Sequence, residues 1–182
     1  MKKVTKLFSI LSLVTLILVV CSNSNENNAQ KVAKEFETEL YTVDSNKIND
    51  YNNLIKIKDV QALAETMQSN DKTIKSLMTE EGYNSLVANR FNTLNTQGCA
   101  EGNYTMQVTD LTLSQNSYDI KENKAGYNFE TKLKFSLNKD NTEQTDVGKG
   151  YIGLSKENGQ WKVFVYRMTV LPKLIEETLS NK

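Results

Sequence analysis

The sequence predicts an α+β domain in which N-terminal helices pack on an antiparallel sheet. Two regularities carry this prediction. From Gln30 to about Phe91 apolar residues recur every three or four positions, the period of a helix buried on one face. After Gly102 the period falls to two and stays there as far as Val170, the period of a strand with one covered face. Helices grouped first and strands second are the order of an α+β domain, not of alternating βα units.

In the helical half, Val32, Ala33, Phe36 and Leu40 form one stripe, and Ile48, Tyr51, Leu54 and Ile55 form another. Asp44 and Ser45 lie between them and suit an N-cap, because a short side-chain oxygen accepts from the first unpaired backbone N–H groups. Val60, Leu63, Ala64 and Met67 continue as a third amphipathic helix. Asp71 is the expected cap of a short turn through Ile74, Leu77 and Met78. Thr79 caps a last helix, with Glu80 and Glu81 in the first turn and Tyr83, Leu86, Val87 and Arg90 along it. Two acids there complement the helix dipole; a cation site is the alternative. Gln97–Gly102 reads as a glycine-flanked loop carrying Cys99.

In the sheet half, Tyr104, Met106 and Val108 alternate, and the phase then slips to Leu111 and Leu113. One extra residue near Asp110 explains the slip as a β-bulge. Tyr127–Asn138 alternates most regularly: Tyr127, Phe129, Thr131, Leu133, Phe135 and Leu137 face the core, and the even positions face water. A third strand runs through Val147, Tyr151, Ile152 and Leu154. Asn158-Gly159 then marks a tight hairpin before Trp161–Val170. This fourth strand is apolar on both sides, with Trp161, Val163 and Val165 on one and Phe164, Tyr166, Met168 and Val170 on the other, so it should be central or doubly covered. Pro172, the only proline, suits the start of a terminal helix over Lys173–Leu179.

The first twenty residues read as a leader. Lys2, Lys3 and Lys6 precede Leu7–Val20, an uncharged apolar run of 14 residues. That is a signal-peptide length, whereas a spanning helix needs about 20 residues. Leu18-Val19-Val20-Cys21 resembles the bacterial lipobox, whose cysteine takes a diacylglycerol and becomes the new first residue; Val20 departs from the Gly, Ala or Ser found there. A cut after Ser22 by an ordinary signal peptidase is the alternative. Residues 21–29 hold no large apolar side chain and read as a disordered tether after the lipidated Cys21. Residues 30–182 are then one domain of about 150 residues.

Composition narrows the chemistry. The chain has 22 basic and 22 acidic residues; without the three leader lysines 19 remain against 22. No polybasic run is present, so nucleic acid is not an expected partner. No histidine occurs, which removes the commonest general base, the commonest transition-metal ligand and every Ser–His or Cys–His nucleophile. No metal-site, phosphate-loop or dinucleotide motif appears, so neither an enzyme nor a cofactor is expected. A carboxylate–tyrosine mechanism, for instance Asp110 with Tyr166, is the catalytic arrangement left open.

Candidate pocket residues are the aromatics Phe129, Phe135, Phe164 and Tyr166, together with Arg90 and Arg167, the two arginines in a lysine-rich chain. Arg167 is expected to share a face with Trp161 and Val163 and to pair a buried carboxylate, grip an anion or reach out to solvent.

The order of elements, with Gly159-Gln160-Trp161-Lys162-Val163 opening a late strand, resembles the nuclear transport factor 2-like (cystatin-like) superfamily. The segment Glu81–Arg90 also resembles small Gram-positive bacterial lipoproteins of that fold. The resemblance implies a cone-like roll of helices inside a curved sheet, in a superfamily with five or six strands where this chain shows four. It implies a lipoprotein on the extracytoplasmic face of the cell membrane, held there by its N-terminal diacylglycerol. The expected role is non-catalytic, in protein–protein contacts with an envelope protein or a second copy. The alternative is a binder of a small apolar or amphipathic molecule in the cone.

Overall fold

The computed structural model describes residues 26–119, 121–139 and 142–181; the leader, Cys21 and the first part of the expected tether lie outside the described residues. The fold is α+β, with helices packed on an open four-stranded antiparallel sheet of order β1-β2-β3-β4. Helix α1 covers residues 26–41. It begins inside the segment expected to be a tether. Ala29 is fully buried and extends the stripe of Ala33, Phe36, Leu40 and Tyr41 by one turn, so packing holds residues that composition alone leaves free.

Helices α2 (Ser45–Leu54) and α3 (Val60–Asn70) form a hairpin, each opened by an aspartate: Asp44 accepts from the Lys47 N–H and Asp59 from the Ala62 N–H. Helix α4 (Lys72–Leu77) follows, and Asp71 precedes it without capping it. Helix α5 (Glu80–Ala88) is capped by Thr79, whose Oγ1 accepts from Gly82 at 3.0 Å. Arg90 then takes a left-handed conformation (φ 60°) and starts α6 (Phe91–Gly102). Helix α6 replaces the loop expected over Gln97–Gly102. Its buried face is Asn92, Asn95, Gly98 and Cys99, small or polar residues at helical spacing that give no apolar stripe. Gly98 lets the terminal helix approach closely: a Cβ would stand 2.7 Å from Ile175 Cδ1, and the buried Ile175 side chain would have to shift. Cys99 is fully buried, and burial pushes its thiol up to about 12, so it is held as an unreactive thiol.

The strands are β1 (Tyr104–Asp119), β2 (Lys124–Leu137), β3 (Glu143–Glu157) and β4 (Gln160–Val170), and α7 (Lys173–Ser180) closes the described chain. The bulge expected near Asp110 is present at Thr109, between the pairs Val108–Leu133 and Asp110–Lys132. The Asn158-Gly159 turn has φ of 48° and 81°, the two positive values that a twisted two-residue hairpin needs.

Strand β4 is an edge strand with Arg167, Thr169 and Val170 exposed, which corrects the central or doubly covered position expected from its two apolar faces. Its register shifts between the pairs Gly153–Val165 and Leu154–Val163, leaving Phe164 as an extra residue. Side-chain parity flips there, so Trp161, Val163, Tyr166 and Met168 all turn toward the helices. Both sheet edges are partly covered. Val43 and Met106 exchange backbone hydrogen bonds at the free edge of β1, and the Thr79 N–H donates to Val163 O at that of β4.

Candidate functional site

The space between α1 and the sheet is filled by the protein's own rings. Phe129 of β2 stacks on Tyr166 of β4 at 5.7 Å and 9°. Phe36 and Phe91 meet the same Tyr166 ring at 5.4 and 5.5 Å, and Tyr41 meets Phe129 edge-on at 6.3 Å. Glycines on the inward face of β3 make room for this cluster: a Cβ at Gly148 would stand 2.8 Å from the Tyr41 hydroxyl, and one at Gly150 2.7 Å from the Phe129 ring. The two tyrosine hydroxyls lie 3.2 Å apart, within hydrogen-bond distance.

Into this apolar setting α1 places Glu37, which is fully buried with neither carboxyl oxygen hydrogen-bonded. Burial raises its carboxyl well above the ordinary carboxylate range, which favours the neutral acid. Burial also raises the hydroxyls of Tyr41 and Tyr166, and Glu37 adds to both shifts. On β2, the Thr131 hydroxyl is likewise buried without a partner. The chemical potential of the group is that of neutral donors and acceptors in a dry interior. A carboxylic acid and two hydroxyls could hold a carbonyl or an alcohol, but Glu37 and Thr131 are fully covered and no opening to them is formed.

Of the residues singled out in the sequence, Phe129 and Tyr166 come together here. Phe135 is also interior but at the other end of β2, edge-on to Tyr104 at 5.4 Å beneath α7. Phe164, the bulged residue, lies over Gly153 on the outer face. Arg167 pairs across the ladder with Tyr151 and is exposed, which corrects the expected burial beside Trp161 and Val163; the parity flip at Phe164 is the cause. Arg90 is exposed at the α5–α6 corner. Neither arginine forms a salt bridge among the described residues. Asp110 is also outside the interior, paired with Lys132 at 2.9 Å across the outer face, so it does not meet Tyr166. Glu37 was missed, yet the signal is legible. It stands four residues after Ala33 and four before Tyr41, an acid inside an apolar stripe.

A different surface is incompletely packed. Helix α3 has no buried residue although its apolar side chains keep helical spacing. Its first residue, Val60, is 79% exposed, and Ile55 just before it is 61% exposed. Among the described residues no helix is long and apolar enough to cross a membrane, and no three acidic or cysteine side chains come together as a metal site.

No protein-family model matches the chain, and no curated protein matches it. Solved structures with a similar arrangement include a periplasmic fragment of TraM, at 10% identity and a TM-score of 0.42, covering 79% of this chain and 96% of that one. A nuclear transport factor 2-like superfamily protein from Salmonella enterica serovar Typhimurium has 13% identity and a TM-score of 0.36, with 70% and 94% covered. A putative calcium/calmodulin-dependent protein kinase II association domain from Xanthomonas campestris has 14% identity and a TM-score of 0.33, with 63% and 86% covered. At these values the likeness is one of general architecture, and no residue role is taken from it.

Proposed function

We propose that this chain is a non-catalytic lipoprotein of the cell envelope, tethered through Cys21, whose extracytoplasmic domain docks another protein through the α2–α3 hairpin. The observation that carries the reading is α3 itself. Eleven residues make a helix that is marginal alone in water, and this one gains no buried residue from its own chain. Its exposed first residue Val60, with exposed Ile55 before it, supplies apolar area for a partner. The filled interior supports the same reading, because it leaves recognition to the surface.

The test replaces Val60 with a photo-crosslinking residue in cells and compares it with the same change at exposed Thr112 on the sheet. A discrete adduct is expected from position 60 and not from 112, and Ile55→Glu should abolish it. Ile55→Glu should change folding stability by no more than about 0.5 kcal/mol, as at an ordinary surface site. An adduct of twice the chain mass would identify a second copy as the partner; no adduct, or equal adducts at both positions, would refute the docking surface. The anchor has its own prediction. The membrane-extracted protein should have a mass beginning at Cys21 plus diacylglycerol, and a soluble product beginning at Asn23 would refute lipidation.

The second reading, a small ligand held in the interior, draws on the unpartnered Glu37 and Thr131. It requires the rings around Tyr166 to part, and is the weaker of the two.

A further inference from the structure

A cleft of about 70 Å³ lies between α2, α3, α4 and α6. Leu54, Met67 and Ile74 give it apolar walls, and Asp50, Asp71 and Asn92 give it polar ones. The polar groups are held in a definite order. Asp71 Oδ2 accepts from the Tyr83 hydroxyl at 2.9 Å and from Asn92 Nδ2 at 2.7 Å. A carboxylate only accepts, so it fixes the Asn92 amide with its NH2 toward Asp71 and its carbonyl away. That carbonyl oxygen is buried without a partner, on a side chain only 9% exposed. An orphaned acceptor of this kind costs stability unless something donates to it.

The charges point the same way. Lys47 is the one cation in the lining, and its ammonium is already held by the Glu39 carboxylate at 2.8 Å and by the carbonyls of Glu39 and Thr42 at 2.7 and 2.9 Å. Its three donors are therefore all engaged. Asp50 and Asp71 have no salt-bridge partner among the described residues. Burial raises the Asp71 carboxyl above its ordinary value despite its two hydrogen bonds, a penalty that a bound cation would relieve.

We propose that this cleft binds an alkylammonium group, accepted by the Asp71 carboxylate and the Asn92 carbonyl, with Asp50 as a second negative charge and the alkyl stem against Leu54, Met67 and Ile74. Its size suits one ammonium head and a short stem. The source is either a free amine or the lysine side chain of a docked protein. The cleft shares Leu54 and Met67 with the α2–α3 hairpin, but amine binding to the isolated chain and crosslinking at Val60 in cells are separate readouts, so each can fail without the other.

The test is a titration of the methyl-labelled full-length chain in detergent, followed by NMR at Met67 and Ile74. The probes are n-butylammonium chloride, Nα-acetyl-lysine amide and, as a neutral control, 1-butanol. Saturable shifts are expected with at least one of the ammonium probes and not with the alcohol. Tighter binding of the lysine amide assigns a protein side chain, and tighter binding of butylammonium a free amine. Asp71→Asn should weaken binding about tenfold, the loss of one charged hydrogen bond. That variant disturbs Tyr83 and Asn92, so Asp50→Asn, at an exposed residue, serves if it fails to fold, and it should weaken binding severalfold. Shifts equal to those with 1-butanol, no saturation, or unchanged affinity in Asp50→Asn would overturn the proposal.

Discussion

Phe129→Ala is expected to lower folding stability by about 3–5 kcal/mol, as for truncation of a buried aromatic side chain. Phe129 is 3% exposed, stacks on Tyr166 and supports the edge of Tyr41, so its loss leaves a void at the centre of the ring cluster. Gly150 cannot fill that void, since it has no side chain to move. Urea unfolding gives the loss, and added benzene supplies the second readout. The variant should gain stability from benzene while the parent chain does not, because only the variant holds an apolar vacancy. A parent chain stabilised equally by benzene would show that the interior is open to small apolar molecules, which would favour the ligand-binding reading.

Glu37→Met should raise stability by about 1–3 kcal/mol near neutral pH, because it removes a buried polar group that has no hydrogen bond. The variant should also flatten the pH dependence. The folded carboxyl is raised above its unfolded value of about 4.5, so between those two values the folded state keeps a proton that the unfolded state has lost. Stability is therefore fully present below about 4.5 and declines as pH rises toward the folded value. Asp71, raised in the same direction, leaves a residual slope of the same sign in the variant. Urea midpoints across pH 4 to 9 decide the matter. A Glu37→Met variant less stable than the parent, with an unchanged slope, would mean that Glu37 is hydrogen-bonded in solution by a water or a ligand.

Much of this architecture is written in local pattern. The Thr109 bulge follows from a phase slip between Val108 and Leu111, and the inward face of β2 from strict alternation. The Asn158-Gly159 hairpin and the Thr79 cap follow from residue chemistry that acts within four residues. Helix α6 was not legible in this way. Its buried face of Asn92, Asn95, Gly98 and Cys99 makes sense only against Leu40, whose carbonyl accepts from Asn95, and Ile175, which needs the space at Gly98.

The candidate sites divide along the same line. Inward placement of Phe129 is a matter of period, and the sequence by itself determines it. Tyr166 reaches the same cluster because of the Phe164 bulge, which also turns Arg167 to solvent, and that shift arises from pairing with β3 across the ladder. The isolation of Glu37 and the meeting of Asp71 with Asn92, 21 residues apart, are likewise products of assembly. The α+β order, the faces of β2 and the Thr79 cap come from interactions between near neighbours, which any reading of the chain contains. Burial, orphaned polar groups and the vacancy between helices depend on which distant surfaces meet, and only the tertiary structure decides that.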